Sequence, residues 1–463
     1  VFEPGTGEAF ITANGADAVF KLSFDLATGN VIAPTSAEDL YADLAASSGN
    51  NPIGLAVGSL AFVANDVSRD VTAVDLATLE VTTTAASADL PTDPDEQSRL
   101  QGKRFFNTGL DRWSLRGEAW GACQTCHFEG LSDNITWYFA RGPRQSTSLD
   151  GSFASNDPSD QRIFNWTAVF DEIHDFENVA RSLNGAVGAL VTATSQPPVN
   201  SDRINLASTT LFPPNGASGL NGSAEVVNDT VSVLQAWDDV EAFIQNIRSP
   251  RAATGLDAAA VTAGEALFTA NKCDGCHGGA KWTLSRRFYQ PSGTTNAALL
   301  AEPYDGAALV TAGFPVELLP ATSGFQFMRS PSPPSGALDQ IQCVLRPVGT
   351  FAVSATDVNV VELRQDMITK GQGEETNGNG FNVPSILGMQ VGAPYFHAGN
   401  ARTLEELLSE LFDGHHAALS AGFAPSADEV RELVAYLLSI DEATTPFALP
   451  TAGPDGGDFC AAP

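Results

Sequence analysis

Over the first 90 residues, apolar and polar positions alternate in short runs separated by Gly, Asn and Asp, which predicts half-buried strands joined by tight turns. Ala9-Phe10-Ile11-Thr12-Ala13-Asn14 returns as Ala61-Phe62-Val63-Ala64-Asn65, and Asp25-Leu26-Ala27-Thr28 returns as Asp75-Leu76-Ala77-Thr78. A repeat of about 50 residues with this alternation predicts β-propeller blades or a similar β unit. Two units are too few to close a propeller, which takes about four to eight blades. The expectation is therefore that further blades lie upstream in a precursor, lie on a partner chain, or were lost. The alternative is a small β-meander lying against the rest of the chain.

The pattern then changes. Pro91-Thr92-Asp93-Pro94 stops strand pairing, because proline lacks the amide hydrogen that a ladder uses. A helix is predicted over 95–106. A second boundary falls at Arg248-Ser249-Pro250-Arg251, after which Asp257 is placed to cap a helix over 258–271 with apolar positions Val261, Ala266, Leu267 and Phe268. Ser426-Ala427-Asp428-Glu429 reads as a capping box opening a last helix, whose stripe is Val430, Leu433, Val434, Leu437 and Leu438. Residues 191–223 and 330–336, rich in Ser, Asn, Pro and Gly, read as loops. The longest uncharged apolar run, 53–64, is too short to span a bilayer.

With 43% hydrophobic residues the chain can build real cores. Its 24 Lys and Arg stand against 55 Asp and Glu, a formal net charge of −31. That balance argues against nucleic acid as a partner, since phosphate neutralisation needs clustered cations. It suits an acidic, salt-adapted or extracellular surface, or the steering of a basic partner.

Cysteine and histidine supply the chemistry. Cys123, Cys126 and His127 form Cys-Gln-Thr-Cys-His, and Cys273, Cys276 and His277 form Cys-Asp-Gly-Cys-His. This spacing is that of c-type haem attachment. Each thiol adds to one vinyl group of the porphyrin, the two intervening residues set the reach, and the adjacent His offers a neutral nitrogen to the iron. A thioredoxin-like pair or half a zinc site is the competing reading; the same His offset in both copies disfavours it. Two covalent haems c are thus expected.

Cys343 and Cys460 remain, either as a disulfide tying the C-terminal tail back or as two separate buried thiols. Covalent haem attachment normally takes place outside the cytoplasm, so a periplasmic or extracellular, cell-surface location is expected. No secretory signal opens the chain at Val1, which reads as a mature, processed or truncated form. Beyond the two proximal residues, an axial ligand of His or Met type must come from His174, His397, His415, His416, Met328, Met367 or Met389.

The expected architecture is mostly α, with two cytochrome-c-like haem domains carrying long loops and a small β region resembling partial propeller blades in front. The division is β repeats over 1–90, a first haem domain over 91–250, a second over 251–447, and a tail over 448–463.

Three blocks carry a family resemblance. Gly102-Lys103-Arg104-Phe105-Phe106-Asn107 and Gly264-Glu265-Ala266-Leu267-Phe268 lead toward the two haem motifs. Phe381-Asn382-Val383-Pro384-Ser385-Ile386-Leu387-Gly388, Ala393-Pro394-Tyr395-Phe396-His397-Ala398-Gly399 and Thr403-Leu404-Glu405-Glu406-Leu407 form the most specific block. Over about residues 95 to 445 the chain resembles the bacterial di-haem cytochrome c peroxidase superfamily, which includes the di-haem enzymes that mature methylamine dehydrogenase. Its β repeats resemble the surface-layer type of propeller, and the pattern is similar to a subgroup that fuses such a propeller to a di-haem domain. In that subgroup Trp137, a turn at Gly142-Pro143-Arg144-Gln145, and the Asn165-Trp166 and Asp175-Phe176-Glu177 pieces recur.

The resemblance implies that the N-terminal haem reacts with peroxide and the C-terminal one relays electrons. It implies a Trp between them, from among Trp113, Trp120, Trp137, Trp166 and Trp282. It also implies a calcium ion between domains, with Asn382 and the Pro384 carbonyl in the matching places. Relatives take a Met or Tyr ligand for the second haem shortly after Thr403-Leu404-Glu405-Glu406, where this chain has Leu411 and Phe412; His415 or His416 is the substitute. His397 lies in a motif whose histidine is structural in relatives, and is expected to bond a haem propionate or to ligate. For the first haem, His174 is the candidate sixth ligand. If it stands off the iron, it and Glu172 or Asp175 are placed to move a peroxide proton.

Three functions follow as expectations. The first is an extracytoplasmic di-haem electron-transfer cytochrome working with a redox partner protein, which its acidity suggests is basic. The second is a di-haem peroxidase or oxidase with one open iron. The third is a surface protein that binds a partner and carries accessory haems.

Overall fold

The computed structural model describes residues 1–3, 5–32, 45–109, 122–139, 142–166, 173, 176, 233–286, 345–346 and 381–449. The chain divides into two compact units. One holds residues 1–125, 177–243 and 294–304, and the other holds 126–176, 244–293 and 305–463.

In the first unit the repeats become two antiparallel sheets. Strands β1 (Phe2–Glu3), β2 (Glu8–Ala13), β3 (Ala18–Phe24) and β4 (Val31–Ile32) pair in chain order, and β5 (Ala45–Ser47) adds to β3. Strands β6 (Pro52–Val57), β7 (Leu60–Asn65), β8 (Asp70–Asp75) and β9 (Val81–Ala86) form the second sheet, again in chain order. The repeated Asp-Leu-Ala-Thr segments make the same turn twice. Asp25 Oδ1 accepts from the amides of Ala27 (2.7 Å) and Thr28 (3.1 Å), and Asp75 Oδ1 from those of Ala77 (2.8 Å) and Thr78 (2.9 Å). A short carboxylate reaching its own downstream amides is what makes Asp a turn former. Phe10 and Val19 from one sheet and Ala61, Val63 and Val74 from the other share one buried cluster.

Helix α1 (Pro94–Asn107) starts where its sequence dictates. Asp93 caps it, accepting from Asp95 and Glu96 amides at 3.1 Å, and Pro94 fills the first helical position, where a missing amide hydrogen costs nothing. Its buried Arg104 meets the equally buried Asp17 at 2.7 Å. Asp17 also accepts from Asn51 N (2.8 Å) and Asn50 Nδ2 (3.0 Å), so one carboxylate ties the β repeats to the helix. A single turn, α2 (Cys123–Cys126), follows. Helix α3 (Val233–Ile244) crosses α1 where Gly102 lets the carbonyl of Asp239 approach; a Cβ on residue 102 would collide with it.

The second unit repeats that crossing. Helix α4 (Ala258–Ala270), capped by Asp257 through Ala259 N at 2.9 Å, packs on the C-terminal helix (Ala427–Leu438) with Gly264 against the carbonyl of Glu432. Between them lie two single turns, α5 (Leu404–Leu407) and α6 (Asp413–His416), so the C-terminal helix is α7. Its capping box forms as read, with Ser426 N donating to Glu429 Oε2 at 2.8 Å. The buried stripe adds Tyr436 to Leu433 and Leu437, while Ala266, expected on the apolar side of α4, is exposed.

The expectation of a mostly α chain does not hold. Among the described residues, fifteen strands in five antiparallel sheets stand beside seven α-helices. Besides the N-terminal sheets there are three short ladders: β10 (Trp137–Phe139) with β11 (Gly142–Arg144), β12 (Phe153–Ala154) with β13 (Asp157–Gln161), and β14 (Leu345–Arg346) with β15 (Phe381–Asn382). The Gly142-Pro143-Arg144 segment, expected as a turn, is a strand. The physical reason is backbone accounting: segments drawn into the body must pair their N–H and C=O groups, and short ladders do so where no helix forms.

Candidate haem sites

The second motif grows out of the end of α4. The helix stops at Ala270, Lys272 adopts the left-handed conformation (φ 60°), and Cys273–Gly275 make one tight turn. Cys276 N and His277 N both donate to Cys273 O, at 3.1 and 2.9 Å, so the two thiols and the imidazole leave one turn together. All three line a cavity walled by Phe268, Ile386, Leu407, Leu408, Leu433 and Leu437. The chain has 55 acidic residues, yet among the described residues none of them lines this cavity, while Lys272 and Arg346 do.

Burial sets the protonation states here. The Cys273 thiol is pushed up to about 12, first by desolvation and then by its neighbours Cys276 and Asp274. Cys276 is raised by desolvation too, with Arg346 pulling partly the other way. Reactive thiolates need the reverse shift, so the thioredoxin-like reading finds no support. Desolvation lowers His277 from 6.5 to about 4, the backbone of Trp282 and Pro384 opposing it in part. Its imidazole is neutral at pH 7, the form a metal takes.

The structure also places the candidate partners. His415 lies on α6 with its ring centroid 6.3 Å from that of His277, the planes inclined at 64°. His416, on the same turn, is buried with its ring 6.0 Å from Phe423. His397 lies flat on Phe381 at 4.1 Å and edge-on to Trp166 at 5.8 Å. Met389 lines the cavity, and its carbonyl accepts from Tyr395 Oη at 2.7 Å. Of the tryptophans, Trp166 reaches this wall, its Nε1 donating to Gln145 O at 2.8 Å. Trp137 donates to Asp133 Oδ2 at 2.8 Å, and Trp282 is buried in the core beneath α7. Asn382, expected at a calcium site, donates through Nδ2 to the carbonyls of Ile163 (2.7 Å) and Asn165 (3.1 Å). Among the described residues no group of three or more His, Cys, Asp or Glu gathers to hold a metal ion.

At the first motif, His127 Nδ1 lies 3.3 Å from the carbonyl of Leu131, the kind of contact that orients an imidazole. Desolvation lowers this histidine to about 4. Cys126 is pushed up to about 11 by burial and then by Asp133. Cys123 is partly exposed. The candidate catalytic residues His174 and Glu172, the cysteines Cys343 and Cys460, Trp113, Trp120, Met328 and Met367 lie outside the described residues.

Sequence reading passed over Arg346 and Lys272. Neither stands in a spacing that marks it. Arg346 reaches the cavity through a two-residue ladder with Phe381–Asn382, a pairing that no local pattern encodes.

A stretch of 86 residues, 19% of the chain, is 33% identical to the cytochrome c551 peroxidase of Nitrosomonas europaea and covers 24% of it. Over that stretch the chain is a weak homologue of a cytochrome c peroxidase. The match spans about a quarter of that relative's length. No family model matches. Among solved structures, the chain is similar to a MauG-like protein associated with microbial copper homeostasis, at 16% identity and a TM-score of 0.38 over 76% of this chain and 90% of that one. It is also similar to the hydrazine synthase of Kuenenia stuttgartiensis, at 14% identity and a TM-score of 0.31 over 76% and 89%.

The residues around the second motif fit a covalently held haem. Two neutral thiols and a neutral imidazole share one turn, apolar side chains wall the space, and the cations Lys272 and Arg346 line it.

Proposed function

We propose that this chain is an extracytoplasmic di-haem c-type cytochrome that passes electrons, with haems held at Cys123, Cys126 and His127 and at Cys273, Cys276 and His277. The observation that carries the reading is the cavity of the second motif, lined by no acidic side chain among the described residues of a strongly acidic chain. A bound haem supplies a one-electron iron couple. The chain's part is to anchor it through two sulfurs and to present neutral His277 to the metal. Apolar walls would keep water from the site, and Lys272 and Arg346 would supply positive charge to an anionic ring. No helix among the described residues is long and apolar enough to cross a membrane. An acidic surface suits a basic redox partner that long-range attraction guides in.

Pyridine haemochrome assay of protein made in a host that attaches haem c tests this. Two haems per chain are expected, and one per chain in the Cys273→Ser, Cys276→Ser double variant. A haem-free wild-type protein would overturn the proposal.

The likeness to a cytochrome c peroxidase favours a second reading, with one iron open to peroxide. On it, His174 and Glu172 handle the peroxide proton at the first haem. Peroxide turnover should then fall at least about tenfold in His174→Ala, because a general acid–base residue contributes about 10²–10⁴ in rate. Wild-type protein that never turns over peroxide would remove this reading.

A further inference from the structure

We infer that His415 is the second axial ligand of the haem held by Cys273 and Cys276, opposite His277. The inference rests on the proposal that this haem is present, and it goes further by closing that iron on both faces.

Geometry selects His415 from the candidates at the cavity. An imidazole nitrogen bonds a first-row metal at about 2.0–2.1 Å; adding the ring radius on each side, two imidazoles sharing one metal hold their centroids about 6 Å apart. His277 and His415 stand at 6.3 Å, inclined at 64°, so they are not stacked on each other. The alternatives also line the cavity, but none is paired with His277 as His415 is. His397 is stacked on Phe381. His416 follows His415 on the same helical turn, and successive residues of a helix point about 100° apart, so one of the two can face His277. His416 turns to Phe423. Met389 packs on the apolar core.

His415 is also held for the task. Phe396 meets its ring edge-on at 5.1 Å and 81°, and Phe396 is itself backed by Phe412 at 4.9 Å. His277, His415 and His416 each carry a buried Nδ1 with no hydrogen-bond partner among the described residues, and a buried polar atom without a partner calls for an explanation.

The test is electron paramagnetic resonance of the oxidised holoprotein, with haem content measured on the same samples. His415→Ala is expected to add one haem equivalent of high-spin ferric signal while two haems stay attached. Imidazole added to that variant is expected to restore the low-spin form. His416→Ala and Met389→Leu are expected to leave the spectrum as in the wild type. His415→Met keeps a ligating side chain and is expected to raise the potential of one haem, as thioether ligation does. An unchanged spectrum in His415→Ala, with both haems present, would overturn the assignment. So would His416→Ala opening the iron in its place. Wild-type protein without haem strikes instead at the proposed function, and the content assay separates the two failures.

Discussion

At the scale of single residues, the haem motifs were readable because their chemistry is strictly local: two thiols and an imidazole within five positions leave little else to explain them. The distal side is another matter. His415 stands 138 positions after His277, and only the packing around α6 shows that it, rather than His416, meets the His277 ring. Charge states at this scale have a measurable consequence. His277 is lowered from 6.5 to about 4 by desolvation, and His415 is lowered to about 3 by desolvation with His277 and His416 beside it. A depressed folded-state value means that the folded form holds these rings neutral while the unfolded chain binds protons. Their contribution is therefore fully present above pH 6.5 and is lost as pH falls toward 4. Iron ligation by neutral imidazole runs in the same direction. The denaturant midpoint is expected to fall between pH 7 and pH 5; a midpoint that holds steady or rises would contradict this state of the two rings.

At the scale of elements, helices with a chemical start signal were legible. Asp257 and Ser426 each cap the helix that their sequence announces, and Asp93, read only as part of a proline boundary, caps α1. The β repeats were legible because alternation and the Asp-Leu-Ala-Thr turn recur. The ladders β10 to β15 were not, since two or three residues carry no period, and β14 pairs with β15 across a long sequence gap. Tyr436 was missed on α7 because a wider apolar face than the aliphatic stripe meets α4.

The helix crossings give an element-scale prediction. At residue 264 a Cβ would collide with the backbone carbonyl of Glu432 and with Tyr436. Gly264→Ala gains about 1 kcal/mol of helix propensity. Overpacking costs about 1–3 kcal/mol, toward the upper end where backbone must give way. A lower thermal midpoint with an unchanged haem count is the expected result by calorimetry and absorption. A higher midpoint would show that α4 and α7 do not cross at this glycine.

At the scale of the whole molecule, the chain carries a net charge of −31, against which a cavity lined by no acidic side chain among the described residues stands out. Composition alone hid that contrast, because it counts residues without placing them. The reading of a mostly α chain failed at this scale too. It extrapolated from the helices that lead into each motif to segments such as 137–139, 142–144 and 157–161, which pair as strands.

Everything proposed for this chain depends on haem being bonded to it. The most direct measurement is the mass of the intact polypeptide under denaturing conditions, after expression in a host that attaches haem c. The account predicts the polypeptide mass plus that of two haems, falling by one haem when Cys273 and Cys276 are both replaced by Ser. A mass equal to the polypeptide alone would contradict it.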